Sequence, residues 1–272
     1  MIRRAPSPRD PRNEAFRDSL TIAGASNFRS LGGLPAAGGR RIRPHALMRA
    51  ERLSGLSAED WGQLAAAGLV TVCDLRSETE RAEHPNAIPE GLGIREVHCE
   101  VLNDVRSDMS IVRLLVDDPT PRGAERLMIK LYRRLPGHMA ATMRTLVELL
   151  IDDRAPLLIH CSAGKDRTGF AIAMLLRSLE VPDELIVEDY LESRAWPGRE
   201  GHRASLSRRL GIVVPESNIH DVVSTVLDVR EAYLAAALEA MAQEYGSVER
   251  YLESEAGLDA AKRESLRARL LA

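Results

Sequence analysis

The segment that most constrains the fold lies at residues 157–169 and reads Leu-Leu-Ile-His-Cys-Ser-Ala-Gly-Lys-Asp-Arg-Thr-Gly. Its apolar beginning predicts a buried strand over residues 156–160. The strand ends in Cys161, a short loop follows, and Arg167 precedes an apolar stretch at residues 168–179 that has the length of a helix. A strand, a tight loop and a helix in this order place a thiol, a row of backbone N–H groups and a guanidinium around one small volume.

This small volume suits a phosphate dianion. Anions are bound by helix N-termini and by successive backbone N–H groups, and an arginine adds bidentate contacts to phosphate oxygens. The same positive field favours the thiolate form of Cys161, which is then a nucleophile near neutral pH. The segment therefore predicts cleavage of phosphate esters through a phosphocysteine intermediate. The predicted phosphate-binding residues are Ser162, Ala163, Gly164, Lys165, Asp166 and Arg167.

The chemistry of the segment predicts roles for Cys161, Arg167, His160 and Thr168 in catalysis. Cys161 attacks phosphorus, while Arg167 and the loop N–H groups stabilise the charge on the three equatorial oxygens. His160 is expected to orient the cysteine and its loop by hydrogen bonds rather than to act as a base. Thr168 has two open interpretations: its hydroxyl donates to the cysteine sulfur, or it satisfies backbone groups at the start of the helix.

Residues 160–169 resemble the phosphate-binding loop of the cysteine-dependent protein tyrosine phosphatase superfamily. The Lys165-Asp166 pair makes the loop similar to that of the bacterial PtpB-type and LipA-type branch. The chain departs from this branch at Ser30, where an aspartate is common. Further segments that fit the branch are residues 27–33, 73–77, 189–193, 245–249 and 251–252, so the resemblance covers about residues 20–272.

The resemblance implies a metal-independent phosphomonoesterase without a cofactor. Its activity would be that of a protein tyrosine phosphatase with dual-specificity or phosphoinositide activity, and its partner a phosphotyrosine-containing protein or another phosphomonoester. The resemblance also implies a general acid at Asp166, whose alternative role is to brace the loop. Asp74 is the rival acid because it lies near the end of a predicted strand, and sites gather at the carboxyl ends of strands in α/β sheets. The Asp117-Asp118 pair is a weaker third candidate.

Predicted strands and helices alternate along the chain, which is typical of an α/β fold with a central, largely parallel sheet flanked by helices, as in tyrosine phosphatases. We expect a loose arm at residues 1–18 and a single phosphatase domain at residues 19–272. That domain includes a lid-like helical segment at about 182–212 and a helical tail at about 228–272. The other predicted elements are strands at 45–49, 69–75 and 94–101, and helices at 57–67, 78–83, 122–135 and 136–152.

Composition argues against several other classes of protein. The 272 residues are 44% hydrophobic and 28% charged, as in ordinary soluble globular proteins. A net charge of −3 and 4% aromatic residues give no basis for nucleic-acid binding, and no apolar run has the length of a membrane span. Three scattered cysteines favour a reducing compartment and lack the spacing of a zinc site, so we expect a cytoplasmic protein without a metal. Residues 1–13 lack an apolar signal region, so export would need another route.

Three features leave alternatives open. Lys165 is either a cation for an additional phosphate or a solvent-facing charge. The arginine-rich residues 193–209 are interpreted first as a solvated helix face, with a basic lid over the site as the alternative. Cys73 forms a disulfide with an oxidised Cys161 only if its strand neighbours the loop, and otherwise Cys73 and Cys99 pack in the core.

Two other functions use the same residues. A phosphate-binding module without catalysis would keep the cradle, and a rhodanese-type sulfurtransferase would carry a persulfide on Cys161. The module does not explain an intact cysteine, and residues 167–169 fit a sulfurtransferase poorly. The phosphatase is the favoured interpretation.

Overall fold

The computed structural model describes residues 19–101, 109–152 and 154–272. The expected arm at residues 1–18 lies outside the described residues. Within them, one sheet has the strand order β1-β2-β5-β3-β4. Strand β1 pairs antiparallel with β2, whereas the other neighbours are parallel, so the predicted central and largely parallel sheet is confirmed. The strands are β1 (Arg29–Ser30), β2 (Leu47–Ala50), β3 (Thr71–Asp74), β4 (Arg95–His98) and β5 (Leu157–His160).

Helices cover the sheet and form most of the second half of the chain. None of the helices in the described residues is long and apolar enough to cross a membrane. The α-helices described are α1 (Ala58–Ala66), α2 (Glu78–Glu83), α3 (Met109–Asp117), α4 (Pro121–Ile151), α5 (Arg167–Ser178), α6 (Asp183–Glu192), α7 (Arg199–Leu210), α8 (Glu216–Leu227), α9 (Glu231–Tyr245), α10 (Val248–Ser254) and α11 (Ala260–Leu270).

The central strand β5 is buried on both faces, as its apolar run predicts. Leu158 packs into a cluster on one face that includes Trp61 of α1. Leu157 and Ile159 pack into a larger cluster on the other face, which includes residues of α4, α5 and the C-terminal helices. Because alternate residues of a strand point to opposite faces, an uninterrupted apolar sequence is what such a two-sided burial requires.

Helix α4 corrects one prediction from the sequence. The sequence predicts two helices, at residues 122–135 and 136–152, but the structure has one continuous helix that runs through Pro136. A proline within a helix removes one backbone hydrogen bond and costs about 3 kcal/mol. Pro136 is buried together with neighbours such as Leu135 and Met139, and each large apolar side chain buried contributes roughly 1.5–3 kcal/mol. Packing along the buried face therefore outweighs the local cost of the proline.

The fold brings the carboxyl ends of β2, β5 and β3 to the same edge of the sheet. The chain leaves β5 at this edge, turns through residues 161–166 and enters α5. Gly164 has a φ of +67°, a conformation that side chains disfavour, and a Cβ there would lie 2.4 Å from the Ala50 carbonyl oxygen. A glycine at this position therefore lets the loop pack directly on the end of β2.

Candidate active site

The carbonyl oxygens of the loop at residues 161–166 are all held by other parts of the protein. Lys165 and Asp166 accept from the first turn of α5, at Gly169 N (3.0 Å) and Phe170 N (2.9 Å). The Cys161 carbonyl lies 3.3 Å from His160 Nδ1. The remaining contacts are Arg52 N to Ser162 O (3.1 Å), Asn27 Nδ2 to Ala163 O (2.8 Å) and Arg49 Nη2 to Gly164 O (2.6 Å).

The backbone N–H groups of the loop, unlike its carbonyl oxygens, are not hydrogen-bonded to the described part of the protein. In the described part of the chain, no hydrogen bond has an N–H group of residues 162–166 as its donor. Backbone donors in folded proteins are almost always paired, so a run of unpaired donors needs an explanation. A loop with its carbonyls bound to the protein and its N–H groups unpaired, at the start of α5, is arranged to bind an anion.

The loop forms the floor of a cavity that is partly open to solvent. Its empty space, counted together with the open solvent at its mouth, is about 820 Å³. Cys161 lines this cavity and is only 2% exposed, so its thiol lies at the bottom. Ser162, Ala163, Lys165 and Arg167 also line it. Helices α4, α7 and α8 form walls of the cavity. Their apolar or aromatic side chains that line it are Met128, Leu131, Tyr132, Leu206, Val226 and Leu227.

Glu80 of α2 holds Arg167 in place, and sequence reasoning missed this residue. The two carboxylate oxygens accept from Arg167 Nη1 (2.8 Å) and Nη2 (2.9 Å), and one also accepts from the Ser162 hydroxyl. Although burial acts to raise it, these bonds to Arg167 and its charge lower the pKa of Glu80 below its usual value. A planar guanidinium bound in this bidentate way has a fixed orientation.

A sequence signal for Glu80 exists, but it points to a different role. Ser77 and Glu80 have the spacing of a capping box, and both of its bonds form: Ser77 N donates to Glu80 (2.9 Å) and Glu80 N to Ser77 Oγ (3.2 Å). The pattern predicts the start of α2. It does not reveal that the same carboxylate contacts Arg167, which is 87 residues further along the chain.

Asp166 and Lys165 are fixed together at the edge of the cavity. Asp166 Oδ1 accepts from the Tyr132 hydroxyl (2.7 Å) and from Lys165 Nζ (2.8 Å). Burial raises the pKa of Tyr132 well above its usual value, so its hydroxyl stays protonated and remains a donor. Within the described residues Asp166 Oδ2 has no hydrogen-bond partner. Lys165 is 3% exposed and also donates to Val226 O (3.0 Å), so the interpretation of Lys165 as a solvent-facing charge is wrong.

Asp74 lies at the end of β3 but does not line the cavity. Its carboxylate is fully buried and accepts from Arg76 Nε (2.9 Å) and Nη2 (2.8 Å). Although burial acts to raise it, the hydrogen bonds from Arg76 and the charge of its guanidinium lower the pKa of Asp74. The strand end thus brings Asp74 behind the loop, next to His160, whereas Asp166 faces the cavity. Asp118, the other predicted alternative, accepts from Thr120 at the start of α4 and does not line the cavity.

His160 lies behind Cys161 as a neutral imidazole. Burial is the main cause that lowers the pKa of His160 to about 4. Asn86 Nδ2 lies 3.1 Å from its Nε2 and is a donor, so Nε2 accepts and Nδ1 carries the proton given to the Cys161 carbonyl. The ring therefore connects Asn86 to the first residue of the loop.

The family follows from comparison with known proteins. Residues 20–272 match the model of the tyrosine phosphatase family. The chain belongs to this family. A Cupriavidus necator protein described as a tyrosine-protein phosphatase is 34% identical over 90% of this chain and 87% of its own length. The triple specificity protein phosphatase PtpB of Mycobacterium tuberculosis is 32% identical over 92% of this chain and 98% of its own length. Among solved structures, TpbA of P. aeruginosa is a weak match, with a TM-score of 0.33 and 14% identity over 80% of this chain and 99% of that chain.

Two of the segments named in the sequence resemblance, residues 27–33 and 189–193, meet behind the loop. Arg29, in the segment at residues 27–33, donates to Asp189 Oδ1 (2.7 Å), and Asp189 begins the segment at residues 189–193. The fully buried Arg49 donates both to Asp189 Oδ2 (2.5 Å) and to Gly164 O. A buried ion pair thus connects α6 to the loop and helps to turn its carbonyls away from the cavity.

Thr168 makes neither of its two expected bonds, and Cys73 is a free thiol on β3, the strand that neighbours β5. The Thr168 hydroxyl is buried and has no hydrogen-bond partner among the described residues, so neither bond expected of it is present. Cys73 pairs in register with Ile159, and its thiol hydrogen-bonds to Cys99. This bond and burial raise the pKa of Cys73 well above its usual value. Cys73 and Cys99 therefore contact each other, as partners in the core.

Proposed function

We propose that this chain hydrolyses phosphotyrosine through a phosphocysteine intermediate on Cys161. The observation that carries the proposal is the loop at residues 161–166, whose carbonyls are bound to the protein. The N–H groups of residues 162–166 have no acceptor among the described residues, and the buried thiol of Cys161 lies beside them. Such an arrangement stabilises the charge that develops on the equatorial oxygens of a phosphoryl group in transfer. Arg167, held by Glu80, adds a fixed positive charge to the same volume.

The reaction has two steps. In the first, the Cys161 thiolate forms a bond to phosphorus while the bond to the tyrosine oxygen breaks, and Asp166 gives its proton to the leaving phenoxide. In the second, water attacks the phosphocysteine, its proton passes to the Asp166 carboxylate, and inorganic phosphate leaves as the thiolate is restored. Asp166 and Cys161 are then ready for the next cycle.

We assign the acid role to Asp166 rather than to Asp74. Asp166 lines the cavity and has one carboxylate oxygen without a partner among the described residues, whereas Asp74 is buried in its ion pair with Arg76. His160 acts as a positioning residue, since a neutral imidazole that donates to the Cys161 carbonyl fixes the start of the loop. We propose that the Thr168 hydroxyl donates to the Cys161 sulfur during the phosphocysteine step, because this buried hydroxyl has no hydrogen-bond partner among the described residues.

The cavity walls support phosphotyrosine as the main substrate. Six residues from α4, α7 and α8 present an apolar lining or an aromatic ring, which suits a phenyl ring above the phosphate. A relative named a triple specificity protein phosphatase supports activity on more than one kind of phosphate ester. We propose phosphoserine, phosphothreonine or phosphoinositides as the further substrates. Because Cys161 has to be reduced to act, we further propose that the protein works in the cytoplasm.

The test is phosphate release from p-nitrophenyl phosphate, a phosphotyrosine peptide, a phosphoserine peptide and a phosphoinositide, in EDTA with a thiol reductant. We expect turnover by the wild type, with the phosphotyrosine peptide preferred over the phosphoserine peptide. Cys161→Ser should abolish turnover and retain phosphate binding, whereas the matched control Cys99→Ser should remain active. A folded, reduced wild type without turnover would contradict the proposal, and a persulfide on Cys161 would then indicate a sulfurtransferase.

A further inference from the structure

One face of α7 forms the outer wall of the cavity. Its four cavity-lining residues are His202, Ser205, Leu206 and Arg209. They have the i, i+3, i+4, i+7 spacing of a single helix face, so they extend along the wall over two turns of the helix. Arg209 lies in the last turn and is exposed to solvent, which places it at the mouth of the cavity.

Arg209 differs from Lys165 and Arg167, which also line the cavity, in having no partner among the described residues. Among the described residues it makes no hydrogen bond and no ion pair. Lys165 and Arg167 are held by Asp166 and Glu80. On α7, Arg199 donates to Ser224 O (3.0 Å), and Arg203 to Glu200 Oε2 (3.1 Å) and Ser224 Oγ (3.0 Å). The charge of Arg209 is therefore available to a ligand that enters the cavity.

Stabilisation of the helix does not explain this position. Cations in the last turn of a helix interact favourably with its dipole, and Arg208 provides this interaction as well as Arg209 does. Arg208 is also exposed, also has no partner among the described residues, and does not line the cavity. The two neighbours thus share the helix and the exposure, and they differ in whether they face the cavity.

We infer that Arg209 is a specificity-determining residue that binds an acidic side chain next to the phosphotyrosine of a polypeptide substrate. The inference rests on the proposed function and names the kind of sequence that the site prefers. The phosphotyrosine would occupy the cavity, while its neighbours in the chain pass over the mouth, where the Arg209 guanidinium meets a carboxylate.

The lining of the cavity favours a polypeptide over a phosphoinositide as this substrate. An inositol ring carries hydroxyl groups on every side, and each one buried against Met128, Leu131 or Val226 would lose hydrogen bonds to water. A phenyl ring has no such groups and gains from the same contacts. The second anion that Arg209 binds is then supplied by a neighbouring residue of the peptide.

The test compares two phosphotyrosine peptides of equal length, one with glutamates and one with glutamines beside the phosphotyrosine. We expect the wild type to prefer the glutamate peptide in kcat/KM by about three- to tenfold at low salt, because an exposed ion pair is modest and screened. Arg209→Gln should remove this preference and Arg209→Glu should reverse it, whereas Arg208→Gln should keep it. Each value is divided by the same variant's kcat/KM for p-nitrophenyl phosphate, so that a general loss of activity does not count.

Four outcomes would overturn the inference. The first two are equal rates of the wild type on both peptides and a preference that survives in Arg209→Gln. The third is an equal loss of the preference in Arg208→Gln, which would indicate that any positive charge at this end of α7 produces it. The fourth is an Arg209→Gln effect confined to a soluble phosphoinositide, which would assign the residue to a lipid headgroup. In each of these cases Cys161-dependent turnover still stands, whereas the proposed function fails if the wild type releases no phosphate from phosphotyrosine or if Cys161→Ser retains turnover.

Discussion

At the scale of single residues, one carboxylate connects three parts of the site. Glu80 caps its own helix through Ser77, fixes both terminal nitrogens of Arg167 and accepts from Ser162. It thus sets the orientation of the cation that binds phosphate without itself being part of the loop. Position matters because a misplacement of about 1 Å in an active site costs up to 100-fold in rate.

Glu80→Gln should therefore lower kcat/KM for p-nitrophenyl phosphate by about 10- to 100-fold, since an amide cannot accept two bonds from Arg167 as a carboxylate does. Glu78→Gln is the matched control, because Glu78 lies on the same helix and is exposed. Steady-state kinetics of both variants check the expectation. Full activity of Glu80→Gln would show that Arg167 does not need this carboxylate.

Asp166→Asn and Asp74→Asn separate the two candidate acids. Asp166→Asn should slow a phosphotyrosine peptide much more than p-nitrophenyl phosphate, whose good leaving group hardly needs a proton. Asp74→Asn should change both substrates by the same factor, because it acts only through the structure around Arg76 and His160. The ratio of the two kcat/KM values is the measurement, and equal slowing by Asp166→Asn would assign it a bracing role.

At the scale of elements, the connection from β5 to α5 depends on its single glycine. Gly164→Ala would force a Cβ against the Ala50 carbonyl and a side chain into a φ of +67°. We expect a loss of about 1–3 kcal/mol in the free energy of unfolding and a large loss of turnover, since the loop has to move off β2.

Gly137→Ala is the control: a Cβ there meets no atom within 4 Å, and α4 should gain roughly 0.5–1 kcal/mol. Urea unfolding and turnover of both variants test this pair, and an active, stable Gly164→Ala would contradict the account.

Elements with a strong local signal could be predicted from the sequence, and contacts between distant elements could not. The run at residues 157–169 predicts β5, the loop and α5 because burial, turn and helix start are all encoded locally. Glu80 escapes prediction because its contact with Arg167 depends on the strand order β5-β3, which sets α2 beside the loop. The break expected at Pro136 was wrong because long-range packing along α4 outweighs a local rule.

At the scale of the whole molecule, burial of the site connects stability to pH. His160 is fully buried, and burial lowers its pKa to about 4 from a usual value of 6.5. The unfolded chain therefore binds a proton between pH 6.5 and pH 4 that the folded protein does not. The free energy of unfolding is highest above pH 6.5 and falls as the pH is lowered through this window.

From this residue alone we expect the protein to be about 2 kcal/mol less stable at pH 5 than at pH 7. The lowered pKa of Glu80 adds to the loss at still lower pH, where the unfolded chain protonates that carboxylate first. Urea unfolding at the two pH values measures the change. In His160→Gln, the difference in the free energy of unfolding between pH 7 and pH 5 should be smaller by the amount expected for His160. The control is His220→Gln, which removes an exposed imidazole. An identical pH dependence in His160→Gln would show that His160 does not cause it.

The central claim is that Cys161 carries the phosphoryl group during turnover. The most direct measurement is an acid quench of the protein during hydrolysis of a phosphotyrosine peptide, followed by mass spectrometry of its peptides. The account predicts one phosphoryl group on the peptide that contains Cys161, formed with the wild type and absent with Cys161→Ser. Sustained turnover without this adduct, or turnover by Cys161→Ser, would contradict it.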